Sequence, residues 1–157
     1  MISAVDTNLL LDILIPNPQH CFTSKRLLDE ALLEGALVVC EMVYTELAAQ
    51  FLSQSRLDMF LQDTGIRLLR SNTEMLNLAG LEWYDYCQRR VRTLHCSACG
   101  QTMHSVCPSC GEHQSLRQHI LADFLIGAHA QLLADNLLTR DRGYCRTYFP
   151  ELKFIGK

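Results

Sequence analysis

Four acidic residues, far apart in the chain, stand where chemistry could be done: Asp6, Glu46, Asp123 and Asp141. Asp6 closes a short apolar run, and Glu46 lies near the first turn of the helical stretch after a second such run. Asp123 opens a late apolar helix, and Asp141 follows a further apolar run. Carboxylates gathered in one place repel one another and are tolerated when a divalent cation neutralises them. All-oxygen ligands select a hard ion, Mg²⁺ or Mn²⁺. Such a site suits phosphodiester hydrolysis, because the ion polarises phosphoryl oxygens, lowers the pKa of a bound water and aligns it for attack. Thr7, Asn8 and Thr139 are candidate donors that would orient the carboxylates. Each acid also has a plainer reading. Asp6 or Asn8 could simply cap the next helix, Glu46 could answer the helix dipole, and Asp123 could face solvent.

A second set of residues calls for softer chemistry. Of eight cysteines, Cys96, Cys99, Cys107 and Cys110 form two Cys-x-x-Cys-Gly motifs, while Cys21, Cys40, Cys87 and Cys145 are scattered and read as small core or near-surface residues. Two thiolates on a tight turn can reach one ion, and four select Zn²⁺ in a closed, structural site. A dithiol redox motif would need one reactive pair rather than two matched ones. A zinc deaminase would need H-x-E, which is absent. His95, His104 and His113 read as surface residues, although one could replace a cysteine. Between residues 86 and 122, Arg89, Arg90, Arg92 and Arg117 face a single acid, Glu112, whereas the whole chain carries a net charge of −3. A basic insert on an acidic body suggests a local anionic contact, such as RNA phosphates. Protein docking and a solvated helix end are the competing readings.

The elements that must position these residues alternate. Residues 2–5, 36–40, 66–69, 136–139 and 152–155 read as short buried strands. Residues 8–15, 24–34, 41–53, 56–62, 75–90 and 119–133 carry helical patterns, and 144–149 form a short helix or turn. Pro16 and Pro18 stop the first helix, Gly35 ends the second, and Asn72 is placed to cap the fifth. Trp83 reads as a core anchor, and no internal repeat is visible. This order predicts an α/β architecture with a mainly parallel sheet flanked by helices. Strand ends share one edge of such a sheet, so Asp6, Asp141 and the helix start near Glu46 converge there. Asp123 joins them only if its helix tilts inward.

Here the chain resembles a known family. VDTN at residues 5–8, YTEL at 44–47, ADFLIGAHA at 122–130 and LLTRDRGY at 137–144, in that order, look like PIN-domain ribonucleases, and in particular the VapC-type toxins of bacterial toxin–antitoxin pairs. The resemblance implies a PIN-like three-layer sandwich over residues 1–157, and the cysteine spacing marks a zinc ribbon inserted into it at 93–114. It implies a Mg²⁺- or Mn²⁺-dependent endoribonuclease whose acids fall on Asp6, Glu46, Asp123 and Asp141, with Thr139 near the metal. It further implies an RNA substrate, a homodimer and a small antitoxin partner. The cysteine insert departs from the family's ordinary pattern.

The 157 residues suggest one domain, and 48% hydrophobic residues suffice for a core. No apolar run reaches the roughly 18 residues of a membrane span. No secretory signal is visible, so a cytoplasmic location is expected. Two other functions remain open: a PIN-type nuclease of RNA processing, and a non-catalytic zinc-ribbon adaptor for RNA or protein. An adaptor would not need all four acids.

Overall fold

A computed structural model describes residues 1–89, 94–95, 102–103, 105–111, 113–114, 120–140 and 143–155. Its centre is a sheet of five strands: β1 (Ile2–Val5), β2 (Ala36–Val39), β3 (Ile66–Leu68), β8 (Asn136–Leu138) and β9 (Phe154–Ile155), in the order β3-β2-β1-β8-β9. Every pairing in it is parallel. The expectation of a mainly parallel sheet is thus met in its strict form. Strands buried on both faces explain why they read as continuous apolar runs rather than alternating ones. Val5, Val38, Leu137 and Leu138 are all sealed from solvent.

Helices α1 (Thr7–Leu14), α2 (Cys21–Glu34), α3 (Glu41–Phe51) and α4 (Gln54–Asp63) fill the connections from β1 to β2 and from β2 to β3. Helices α5 (Thr73–Arg89) and α6 (Leu121–Leu133) pack on one another between β3 and β8, and α7 (Gly143–Tyr148) precedes β9. Right-handed crossovers place successive connections on opposite faces when the strand order reverses. That reversal lies between β1 and β8. Asn72 caps α5 as expected, accepting the Met75 N–H at 2.9 Å. Gly127 lies in α6 against the buried Phe149; a Cβ there would come within 2.3 Å of the ring.

Between α5 and α6 the chain forms two small hairpins, β4 (Leu94–His95) with β5 (Thr102–Met103) and β6 (Ser105–Val106) with β7 (His113–Gln114). These strands are too short to leave a periodic signature, and the sequence reading contains none of them. The hairpins also repeat one another, which corrects the reading that no internal repeat exists.

Candidate active site

The reversal between β1 and β8 is where open α/β sheets place their ligands. Asp6 follows β1 directly and is tied to β8 by its own N–H, which donates to the Leu138 carbonyl at 3.0 Å. Asp6 occupies the position before α1, yet its side chain makes no capping bond. Its Oδ2 instead accepts from Thr139 Oγ1 at 2.6 Å and from Asn8 Nδ2 at 2.6 Å. Asn8 Nδ2 also reaches Thr139 Oγ1 at 3.1 Å, and Asn8 Oδ1 accepts the Arg140 N–H at 3.3 Å. The capping reading of Asp6 and Asn8 is therefore displaced: Asp6 makes no side-chain capping bond and Asn8 lies inside α1, and both side chains bond residues at the end of β8.

Glu46 lies in the second turn of α3, a little deeper than the first-turn position expected of it. Its Oε2 accepts a hydrogen bond from the buried Thr7 hydroxyl. Asp123 is the third residue of α6, and its Oδ2 accepts the Ile120 N–H at 2.8 Å, closing the start of the helix. It is half-buried, not surface-facing. Asp6, Thr7, Asn8, Leu11, Glu46, Ala49, Gln50 and Asp123 line one open cleft of about 480 Å³.

Electrostatics bind these acids together. Burial raises the Asp6 carboxyl from 3.8 to about 6, and the charges of Asp123 and Glu46 add to the rise; the Thr139 hydroxyl and the Thr7 N–H oppose it. Three carboxylates lining one cleft match the donor set of a hard divalent ion. Each is held by its own neighbour, however. Among the described residues, no three His, Cys, Asp or Glu side chains stand close enough to grip one ion outright. The fourth expected acid, Asp141, lies outside the described residues, as do Cys96, Cys99, Arg90, Arg92 and Arg117. Arg89 ends α5 on the surface, paired with Asp85 at 2.9 Å.

One pairing leaves little trace in the sequence. Asp12, buried in α1, accepts from Ser24 Oγ at 2.6 Å and meets Arg140 Nε at 2.9 Å. It pins the segment after Thr139 against α1. Only the lone acid within the apolar LLLDILI stretch hinted at it.

In the insert, Cys107 and Cys110 are both outside disulfides. Backbone N–H groups of Cys110 and Ser109 donate to the Cys107 sulfur and hold its thiol below the ordinary range. The scattered cysteines are placed as expected: Cys40 and Cys145 are buried, Cys21 and Cys87 partly so.

No sequence-family description and no curated protein matches the chain. Solved structures do. A chain of the VapBC2 complex of Rickettsia felis, bound to a DNA fragment from their promoter, aligns with a TM-score of 0.61 and 16% identity, covering 99% of this chain and 98% of that one. A chain of VapBC-1 from nontypeable Haemophilus influenzae gives 0.63 and 17%, covering 99% and 97%. A toxin–antitoxin complex from Klebsiella pneumoniae gives 0.57 and 16%, covering 98% and 96%. At these identities the likeness is one of fold. The chain is an α/β protein with the PIN-like fold of these VapBC structures.

Proposed function

We propose that this protein is a Mg²⁺- or Mn²⁺-dependent endoribonuclease and acts as the toxin of a type II toxin–antitoxin pair, with RNA as substrate, a small antitoxin as partner and a homodimer as the working form. The observation that carries this reading is the cleft where Asp6, Glu46 and Asp123 meet at the reversal of strand order. Asp6, Glu46 and Asp123 would hold the ion, with Asp141 the fourth acid by its place after β8. The ion, when bound, supplies charge neutralisation at the phosphoryl group and an acidified water.

The chain's own residues set the rest. Thr139 and Asn8 hold one oxygen of Asp6 and leave its carboxyl a single orientation. Thr7 does the same for Glu46. The Ile120 N–H fixes Asp123 at the mouth of α6. Arg140, anchored on Asp12, holds the segment that leads into Asp141. The cysteine insert stands apart from this chemistry and is a candidate soft-metal module.

The purified chain should cut RNA internally when Mg²⁺ or Mn²⁺ is added. Asp6→Asn should abolish cleavage while circular dichroism shows an unchanged fold. Expression should arrest bacterial growth, and Asp6→Asn should relieve the arrest. A fully active Asp6→Asn protein would exclude the site; cleavage without growth arrest would favour an RNA-processing role.

A further inference from the structure

Beside the cleft that holds the acids lies a second, smaller pocket of about 250 Å³, lined by Leu14, Ile15, Gln50 and Phe51. Gln50 lines both. Helices α1 and α3 pack on one another along this path. Each starts where its strand ends, α1 after β1 and α3 after β2, and each stops at the pocket. Ile15 leaves helical geometry directly after Leu14, and α3 closes with Phe51. On α3, Glu46 and Gln50 are four residues apart, about 6 Å along the axis, and share a face. On α1, Asn8, Leu11 and Ile15 follow at intervals of three and four down one face. Ala49, small and exposed, leaves the cleft wall low beside Gln50.

The chemistry changes along this path. One end holds three carboxylates; the other has no charged lining residue. Ile15 is apolar yet exposed. Phe51 is half-buried, braced by the Phe60 ring at 5.2 Å, and still lines the pocket. Leu52 turns the chain away immediately after it with φ 52°, a left-handed conformation that is costly for leucine. Gln50 is exposed, and its side-chain amide makes no hydrogen bond among the described residues. It therefore offers both a donor and an acceptor at the rim.

A base of single-stranded RNA has the matching form. Its flat face stacks on rings and aliphatic side chains, and its edge carries donors and acceptors. A peptide would bring backbone N–H and C=O groups into the pocket, where Gln50 alone could answer them. We propose that this pocket seats the base of the nucleotide next to the phosphate held at the acids, with Leu14, Ile15 and Phe51 against its face and Gln50 on its edge. The inference rests on the nuclease reading and adds to it the side chain that selects which base lies beside the cut.

Two measurements test it. In the first, RNA of randomised sequence is cut in Mg²⁺ or Mn²⁺ and the new ends are sequenced. The unaltered chain should favour particular bases at one position beside the cut. Gln50→Ala, a change to a better helix former on an exposed position, should still cut but lose the preference at that position alone. Gln54→Ala, exposed on α4 and off this path, should behave as the unaltered chain. Phe51→Ala should raise KM roughly 5- to 150-fold, the range for one stacked base. If that variant fails to fold, Ile15→Ser, at an exposed side chain, should raise KM by a smaller factor. In the second, the four nucleosides are titrated into the metal-free chain and followed by NMR. They carry no phosphate, so their binding does not depend on the acids or an ion. The signals of Ile15 and Phe51 should shift saturably, most tightly with the base preferred beside the cut, and Gln50→Ala should level the four. An unchanged cut profile in Gln50→Ala, or nucleosides that leave Ile15 and Phe51 unmoved, would overturn the proposal. So would a co-purifying protein that covers Ile15 and Phe51 while the Gln50→Ala profile stays as it was, which would assign the pocket to a protein partner. Nucleosides bound there by a chain that cuts no RNA would sink the nuclease reading and leave the base site in place.

Discussion

Replacing Asp6 by Asn should stabilise the protein while abolishing the proposed cleavage. Burial, with help from Asp123 and Glu46, moves the Asp6 carboxyl from 3.8 to about 6. At about 1.4 kcal/mol for each pKa unit, the ionised group costs the folded state about 3 kcal/mol at neutral pH. Asn keeps an oxygen to accept from Thr139 and Asn8; the Thr139 bond already enters the raised pKa, and the charge assistance lost from the Asn8 bond returns about 1 kcal/mol. A net gain of about 2 kcal/mol remains, or roughly 4–8 °C in Tm for a chain of this size. The sign with pH follows from a raised carboxyl pKa. Stability supplied by the protonated form is fully present below 3.8 and is lost as pH rises through about 6. The advantage of Asn should thus be complete at pH 7.5 and fade towards pH 4. The assay is thermal unfolding of both proteins in buffer free of Mg²⁺ and Mn²⁺, across that range. Added Mg²⁺ should then raise the Tm of the unaltered protein and leave Asp6→Asn unmoved. A variant no more stable at pH 7.5, a gain independent of pH, or an equal response to Mg²⁺ would refute the reasoning.

Other perturbations follow from the same contacts. Gly127→Ala drives a methyl into the Phe149 ring, which is itself fully buried, and should cost about 1–3 kcal/mol as read by chemical denaturation. Arg140→Ala leaves the buried Asp12 carboxylate without its cation. Since Arg140 is itself about 34% exposed at its side chain, the loss should sit near the low end of the range for broken buried pairs, roughly 3 kcal/mol. Asp12→Asn with Arg140→Met should recover part of that loss in the same denaturation assay. Thr139→Val removes the hydroxyl that orients Asp6, so turnover should fall well before RNA affinity does, which a comparison of kcat with KM would detect.

Much of this is legible in the sequence. The buried strands could be read because both faces of β1, β2 and β8 are covered, so Val5, Val38 and Leu137 sit in unbroken apolar runs. Asp6 could be read because it ends such a run. Asp123 was conspicuous as an acid at the start of an apolar helix, although its bond to the Ile120 N–H was not visible. What stayed hidden depends on contacts across the chain. Asp12 and Arg140 are distant in sequence, and nothing local to either names the other. Thr7 and Glu46 are joined only once α1 and α3 pack. The insert's hairpins escaped because a paired dipeptide has no period to detect, and their repetition emerges when strand register is laid over cysteine spacing.

The two helices that flank the insert, α5 and α6, meet on one cluster of rings. Trp83 and Tyr86, late in α5, lie 5.5 and 5.4 Å from Phe124, early in α6, and Phe124 meets Tyr148 at 5.2 Å. This knot of rings joins α5 to α6 whatever the length of chain between them. A module grafted at such a junction asks nothing of the sheet and disturbs no strand. Replacing residues 90–119 by a short flexible bridge should leave the α/β body folded, and the same geometry makes this corner of the fold a natural landing point for accessory domains.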